Sequence, residues 1–184
     1  MIQHHIDLGS VLRGTVCELY SNLVTRPTGV AVRTEIERAI TEAGGRTLTV
    51  IDFSQVTLLD FSCADEIIAK LLLREQPEGG AEGYFVFRGI HDHHLDAIEH
   101  VLERHRLAMV AEESGGEPRL VGIVAESEDA AWRALRRHGP ASAAELAEDT
   151  GLPSDEARAI LEGLCGRKLA MRVEGTYLAV GGLQ

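Results

Sequence analysis

The chain has 184 residues, 45% of them apolar, with a formal charge of −11. It can hold one medium domain or two small ones, and that charge argues against general affinity for nucleic acid or anionic membrane. Its longest apolar stretches are short and broken by charge, which excludes a transmembrane helix, and MIQHHIDLGS lacks the basic flank and apolar core of a secretory signal. Cys17, Cys63 and Cys165 are an odd, scattered set without CxxC spacing. They fit buried thiols in a reducing compartment, so the expected location is the cytoplasm.

In chain order, Ile2–Leu8 and Thr15–Leu23 could form an N-terminal strand pair. Residues 29–43 place Val32, Ile36, Ile40 and Ala43 on one face, which is helical spacing, and Gly44-Gly45 ends the helix. Leu48–Phe53 is apolar almost throughout and predicts a buried strand. Residues 63–75 gather Ile67, Ile68, Leu71 and Leu72, with Asp65, Glu66 and Arg74 on the polar side of a helix. The loop Pro77–Gly80 precedes the strand Tyr84–Phe87, a helix over 92–106 and a short strand Leu107–Val110. Strands separated by short helices predict an α/β layer with crossovers covering a central sheet.

The stretch Glu112–Pro118 is a loop, and Arg119–Ala125 a further strand. Helices then follow over Asp129–His138, from Ser142 to Gly151, and over Asp155–Cys165 with Ser154 as its cap. Leu169–Arg172 and Thr176–Val180 flank Glu174-Gly175 as a hairpin. Three helices and a hairpin predict a winged helix-turn-helix layout. The expected organisation is an α/β domain over 1–126 and a small, mainly helical domain over 127–184.

The segment Val50–Leu72 carries the functional signal. An apolar strand ends in Asp52-Phe53-Ser54, and Asp60-Phe61-Ser62 opens an amphipathic helix. Ser62 therefore sits at a helix start, where backbone N–H groups favour an acceptor or anion. The block Val50–Val56 with Leu59-Asp60-Phe61-Ser62 resembles the STAS domain of anti-sigma-factor antagonists. Ala64-Asp65-Glu66 and Thr25-Arg26 are similar to bacterial STAS-like domains, some of which lie near histidine-kinase-like ATPases. Asp60 and Ser62 match the pattern; Phe61 stands in place of a serine and Cys63 in place of a glycine. The resemblance implies a STAS-like sheet with covering helices over roughly residues 1–125, no metal, and Ser62 at the position a partner kinase phosphorylates. Residues 128–182 resemble winged helix domains of bacterial regulators, through Ala141–Ala147, Thr150–Leu152 and Gly175–Leu178.

Each site has a plainer reading beside it. Ser62 could simply be a helix N-cap, with Asp65 completing a capping box. A phosphate there would add about −1.5 to −2 charge beside Asp60, Asp65 and Glu66, a means of switching an interface off. Asp52 and Asp60 could be imagined as paired carboxylates, but ending strands and holding loop N–H groups accounts for both. His91-Asp92-His93-His94, with His100 nearby, lacks convergent metal-ligand spacing and predicts a solvated loop and helix start. The second helix of the helix-turn-helix opens with Asp155 and Glu156, and residues 128–184 carry seven Arg or Lys against nine Asp or Glu. That disfavours DNA, although Arg158, Arg167, Lys168 and Arg172 are candidate contacts, and Arg133, Arg136 and Arg137 could join them in a local patch.

These signals predict a non-enzymatic bacterial regulatory protein without a cofactor. Asp60, Phe61, Ser62, Asp65 and Glu66 are its expected partner-binding residues, and a kinase-like ATPase or anti-sigma-type protein its expected partner. A DNA-binding regulator is the alternative, and a homodimer is open.

Overall fold

A computed structural model describes residues 2–7, 22–43, 45–74, 83–113 and 116–182. It is a mixed α/β fold with a mainly parallel central sheet and, among the described residues, six helices. The sheet holds β1 (Ile2–Asp7), β3 (Thr47–Asp52), β5 (Gly83–Ile90), β6 (Ala108–Glu113) and β7 (Pro118–Gly122), in that order. Its first four strands run parallel, and β7 returns antiparallel along β6. Among the described residues, β1 pairs with β3, and Asn22–Leu23, the described end of the expected partner strand Thr15–Leu23, pairs elsewhere. Residues 15–21 lie outside the described residues. Asn22–Leu23 forms β2, which pairs with Leu58–Leu59 (β4), a short strand that the sequence pattern did not reveal.

Helix α1 (Arg26–Ala43) begins three residues before the expected start, with Pro27 in its first turn, where a missing N–H costs nothing. Helix α2 is continuous over three segments, Phe61–Ala64, a widened π-turn Asp65–Ala69, and Lys70–Leu73. Helix α3 (Asp92–His105) ends at Arg106, whose left-handed backbone (φ 54°) stops it. The β6–β7 strands reach further into the expected Glu112–Pro118 loop than its turn-rich composition suggested. After β7 come α4 (Glu126–His138), α5 (Ala143–Thr150), α6 (Ser154–Gly166), β8 (Ala170–Val173) and β9 (Thr176–Ala179).

The central strands β3 and β5 are largely apolar and buried because both faces of the sheet are covered. Alternation sends Ile51, Phe85, Phe87, Met109 and Val121 to one side, into a core with α1, α2 and α3. Leu48, Val50, Tyr84, Val86, Val110 and Leu120 face the other side, in a core with α4, α5, α6 and the β8–β9 hairpin. Trp132 of α4 is fully buried there, its indole N–H donating to the Leu169 carbonyl at 3.0 Å.

Local rules account for most of the C-terminal turns. Ser142 caps α5, its hydroxyl accepting from the Glu145 N–H while Glu145 accepts from the Ser142 N–H at 2.7 Å. Glu174 and Gly175 both have positive φ (49° and 88°), the backbone that a two-residue hairpin requires. Ala141 and Tyr177 exchange two backbone hydrogen bonds, tying the α4–α5 connection to the hairpin. Ser154, expected as a cap, is instead the first helical residue of α6. Pro153 holds the cap position with no side-chain hydrogen bond.

Candidate functional site

The start of α2 is placed by β2 and β4. Their pairing lets the Asp60 N–H donate to the Leu23 carbonyl at 2.8 Å, so α1 and α2 begin side by side. Asp60, not Ser62, is the N-cap: its backbone is extended (φ −88°, ψ 166°) and its carboxylate accepts the Cys63 N–H at 2.8 Å. A carboxylate is a strong acceptor at a helix N-terminus, where the helix dipole adds to the hydrogen bond. Ser62 is the second residue of the helix, half-buried, and its hydroxyl donates to the Asp60 carboxylate at 2.9 and 3.1 Å. The expected freely exposed hydroxyl is thus turned inward, onto the cap. Asp52 organises its loop as the plainer reading held, its carboxylate accepting the Ser54 N–H at 2.8 Å.

Cys63 follows as a fully buried residue whose thiol donates to the Thr25 carbonyl at 3.0 Å. Burial, and then the Asp60 charge, push this thiol up to about 12, so it is neither a nucleophile nor a metal-ready thiolate near neutrality. Phe61 is only partly buried and packs edge-on against His100 at 5.0 Å, with the Arg104 guanidinium 5.6 Å above its ring. Both partners come from α3, so Phe61 staples α2 to that helix.

Asp65 and Glu66 correct the amphipathic expectation. Neither lies on a solvated face: Asp65 is 8% and Glu66 1% exposed. Helices α1 and α3 flank α2, and Arg26 and Arg33 of the first, His105 of the second and Lys70 of α2 itself close over the acids. Asp65 accepts from His105 Nε2 at 2.7 Å and Arg26 Nη1 at 3.3 Å. Glu66 accepts from Arg26 Nη1 at 2.5 Å and Lys70 Nζ at 2.6 Å, with Arg33 Nη2 at 3.5 Å. Burial alone would raise both carboxyls, but His105 and Arg26 outweigh it for Asp65, and Lys70 and Arg26 for Glu66. Both stand below the usual carboxylate range, so the pair is ionised and internally neutralised. Gly29 makes the close approach of α1 possible, since a Cβ there would lie 3.0 Å from Glu66 Cβ and 3.1 Å from Cys63 Cα.

Sequence reasoning did not single out Arg33, Lys70 and His105 as part of this site. The Glu66–Lys70 spacing of four was a legible local signal, whereas Arg33 and His105 arrive from other helices.

The histidine cluster departs from its expected solvated state at one position: Asp92, His93 and His100 are exposed, and His91 is partly so. His94 is completely buried. Its Nδ1 accepts the His91 N–H at 3.3 Å and its Nε2 lies 3.0 Å from the Val56 carbonyl, an arrangement that suits the neutral Nε2–H tautomer. Burial first, then His93 and His91, lower its pKa to about 4. Among the described residues, no group of three or more His, Cys, Asp or Glu side chains converges as a metal site would need.

The four candidate DNA contacts come from α6, its C-terminal turn and the hairpin, and each has its own surroundings. Arg158 is exposed on α6, near the acidic Asp155, Glu156 and Glu162. Arg167 is drawn inward by Glu128 at 2.8 Å and by the Ile123 carbonyl. Lys168 lines a cleft of about 190 Å³ with Arg167, Arg106 and Leu72, where the C-terminal helices meet α2 and α3. Arg172 stands 5.7 Å over the Tyr177 ring on the hairpin. No described helix is long and apolar enough to cross a membrane. The chain matches no model of a known protein family and no curated protein.

Proposed function

We propose that this is a non-enzymatic regulatory protein whose STAS-like α/β part, residues 1–126, docks a kinase-like ATPase or anti-sigma-type partner around Ser62. The observation that carries the reading is the Ser62–Asp60 contact, in which one hydroxyl leans on the carboxylate that caps α2. A phosphate on Ser62 would replace a donated hydrogen bond with repulsion between anions less than one side chain apart. Asp60 would then be pushed off the Cys63 N–H, and the first turn of α2 would loosen. Val24 and Leu58, both exposed apolar side chains on the β2–β4 side of the same turn, give a partner something to cover. Asp65 and Glu66 act beneath this surface, fixing α1 against α2, and do not themselves meet a partner.

The test is intact mass and pull-down with the cognate ATPase and ATP. The expected result is a single phosphate on wild type, none on Ser62→Ala, and loss of partner binding by Ser62→Asp. An unmodified Ser62 together with indifference to Ser62→Asp would sink the reading.

A DNA-binding regulator using a C-terminal winged helix over 127–184 is the second reading. Its support is the three-helix and hairpin layout, with Ala141 bridged to Tyr177. Titration with promoter DNA at two salt concentrations tests it, and absence of any complex at low salt ends it.

A further inference from the structure

A second site lies on the opposite face of the sheet from α2. Arg133, Arg136 and Arg137 fall at i, i+3 and i+4 on α4, which places them together on one side of the helix. Arg119 of β7 meets them across a cleft of about 470 Å³ whose remaining walls are Glu117 and Pro118. Glu117, Pro118 and Arg136 also line a smaller chamber of about 170 Å³, which carries Arg88 and Glu112 at its rim and Leu48, Val50 and Val86 on its floor. Gly181 belongs to that chamber's wall, where a Cβ would meet Val110 Cγ1 at 3.0 Å and Pro118 Cβ at 3.3 Å.

Four guanidinium groups crowd this cleft in a chain whose overall charge is −11. The helix dipole explains why cations gather in the last turn of α4, but it does not explain Arg119 facing them from a strand. Each arginine has an acidic neighbour, yet these pairs leave most donors free. Arg133 meets Asp129 at 2.8 Å, Arg136 meets Glu117 at 3.5 Å, and Arg137 meets Asp149 at 3.7 Å. Arg119 holds Glu113 through one oxygen. A guanidinium offers five N–H donors in a flat fork, so none of the four is saturated. Arg136 is also pre-positioned, its ring-side face 5.5 Å from Trp132 and one Nη donating to the Pro118 carbonyl at 2.8 Å.

We propose that this cleft binds a small molecule bearing two or more linked phosphate groups. The volume suits a compact ligand, and concave sites of this size enclose small molecules better than a duplex. Linked phosphates supply the dense charge and the several acceptor oxygens that four converging forks require. Bare polyphosphate and a nucleoside polyphosphate share this chemistry; the smaller chamber is where they would differ. The site is independent of the Ser62 reading, because it lies behind the other face of the sheet.

The experiment is calorimetric titration of the full chain, without magnesium, using tripolyphosphate, ATP and citrate. Arg133→Ala/Arg137→Ala is the main variant, since both side chains are about two-thirds exposed and their loss leaves the core intact. Arg119→Ala, from a different element, is the second, and Arg158→Ala is the control outside the cleft. The expected result is saturable binding of tripolyphosphate, at least about tenfold weaker in the double variant and in Arg119→Ala, and unchanged in Arg158→Ala. ATP binding as well as tripolyphosphate assigns recognition to the phosphates alone, and ATP binding more tightly adds the smaller chamber; either supports the proposal. It is overturned if tripolyphosphate fails to bind at about 1 mM, a concentration that detects even weak sites. Equal binding by the double variant, equal binding of citrate, or displacement of tripolyphosphate by a short DNA duplex would overturn it too.

Discussion

Replacing Glu66 with Gln isolates the charge at the centre of the helical layer while keeping its shape. The carboxylate is 1% exposed and receives two short charge-assisted hydrogen bonds, from Arg26 at 2.5 Å and Lys70 at 2.6 Å. Such bonds contribute about 1.5–3 kcal/mol each. The amide keeps one acceptor and turns the other into a donor that faces a cation. The full loss is not felt, because Arg26 and Lys70 are about half exposed and regain water, Arg26 keeps Asp65, and Arg33 keeps Glu37 at 3.0 Å. A net cost of about 2–3 kcal/mol follows, or a fall of roughly 5–10 °C in Tm for a chain of this size. The dependence on pH is a second signature. The folded pKa of Glu66 lies below its ordinary 4.5, so the stabilisation is complete above that value and disappears as pH falls through the folded pKa. Urea unfolding at pH 7 and near pH 3, followed by circular dichroism, measures both quantities. The difference between wild type and variant should be large at pH 7 and shrink in acid. A difference below about 0.5 kcal/mol at pH 7, or one unchanged in acid, would refute the account of Glu66 as a neutralised buried charge.

Two further outcomes follow from the same geometry. His94 is neutral when folded and has a pKa lowered to about 4 from 6.5, so the unfolded chain gains a proton first as pH falls. Stability should decline by roughly 3 kcal/mol from this group as pH drops from above 6.5 to about 4, and His94→Gln should remove that slope in urea titrations across the range. Asp60→Ala should cost about 1 kcal/mol through loss of the α2 cap, and Ser62→Ala only a few tenths. Thermal unfolding of both variants checks the order, and a larger loss at Ser62 would mean that the serine is the cap after all.

Periodicity and local chemistry were legible in the sequence. The nearly all-apolar run Leu48–Phe53 required a buried strand, the aromatic run Tyr84–Phe87 a second strand, and the i, i+4 series in α1 a helix with a single buried stripe. Ser142 with Glu145, and Glu174 with Gly175, set a cap and a turn through contacts no longer than three residues. The site at Asp60–Ser62 was visible as a position, because an acid and a serine before an apolar helix mark a helix start in any fold.

Which groups at that start were buried was not visible there. Asp65 and Glu66 read as solvent-facing because helical spacing sets them apart from Ile67 and Leu71; only the arrival of Arg26, Arg33 and His105, some 33 to 40 residues away, makes their burial tolerable. His94 read as a surface histidine until the Val56 carbonyl, 38 residues earlier, is found at its ring nitrogen. The arginines likewise read as one basic set, and packing divides them, turning Arg167 inward and gathering Arg133, Arg136 and Arg137 around Arg119. The sequence by itself determined the order and type of most elements, since those depend on energies between near neighbours. The tertiary structure alone decided the ionisation and exposure of the polar groups, since desolvation and Coulomb terms depend on whatever the fold brings within a few ångströms.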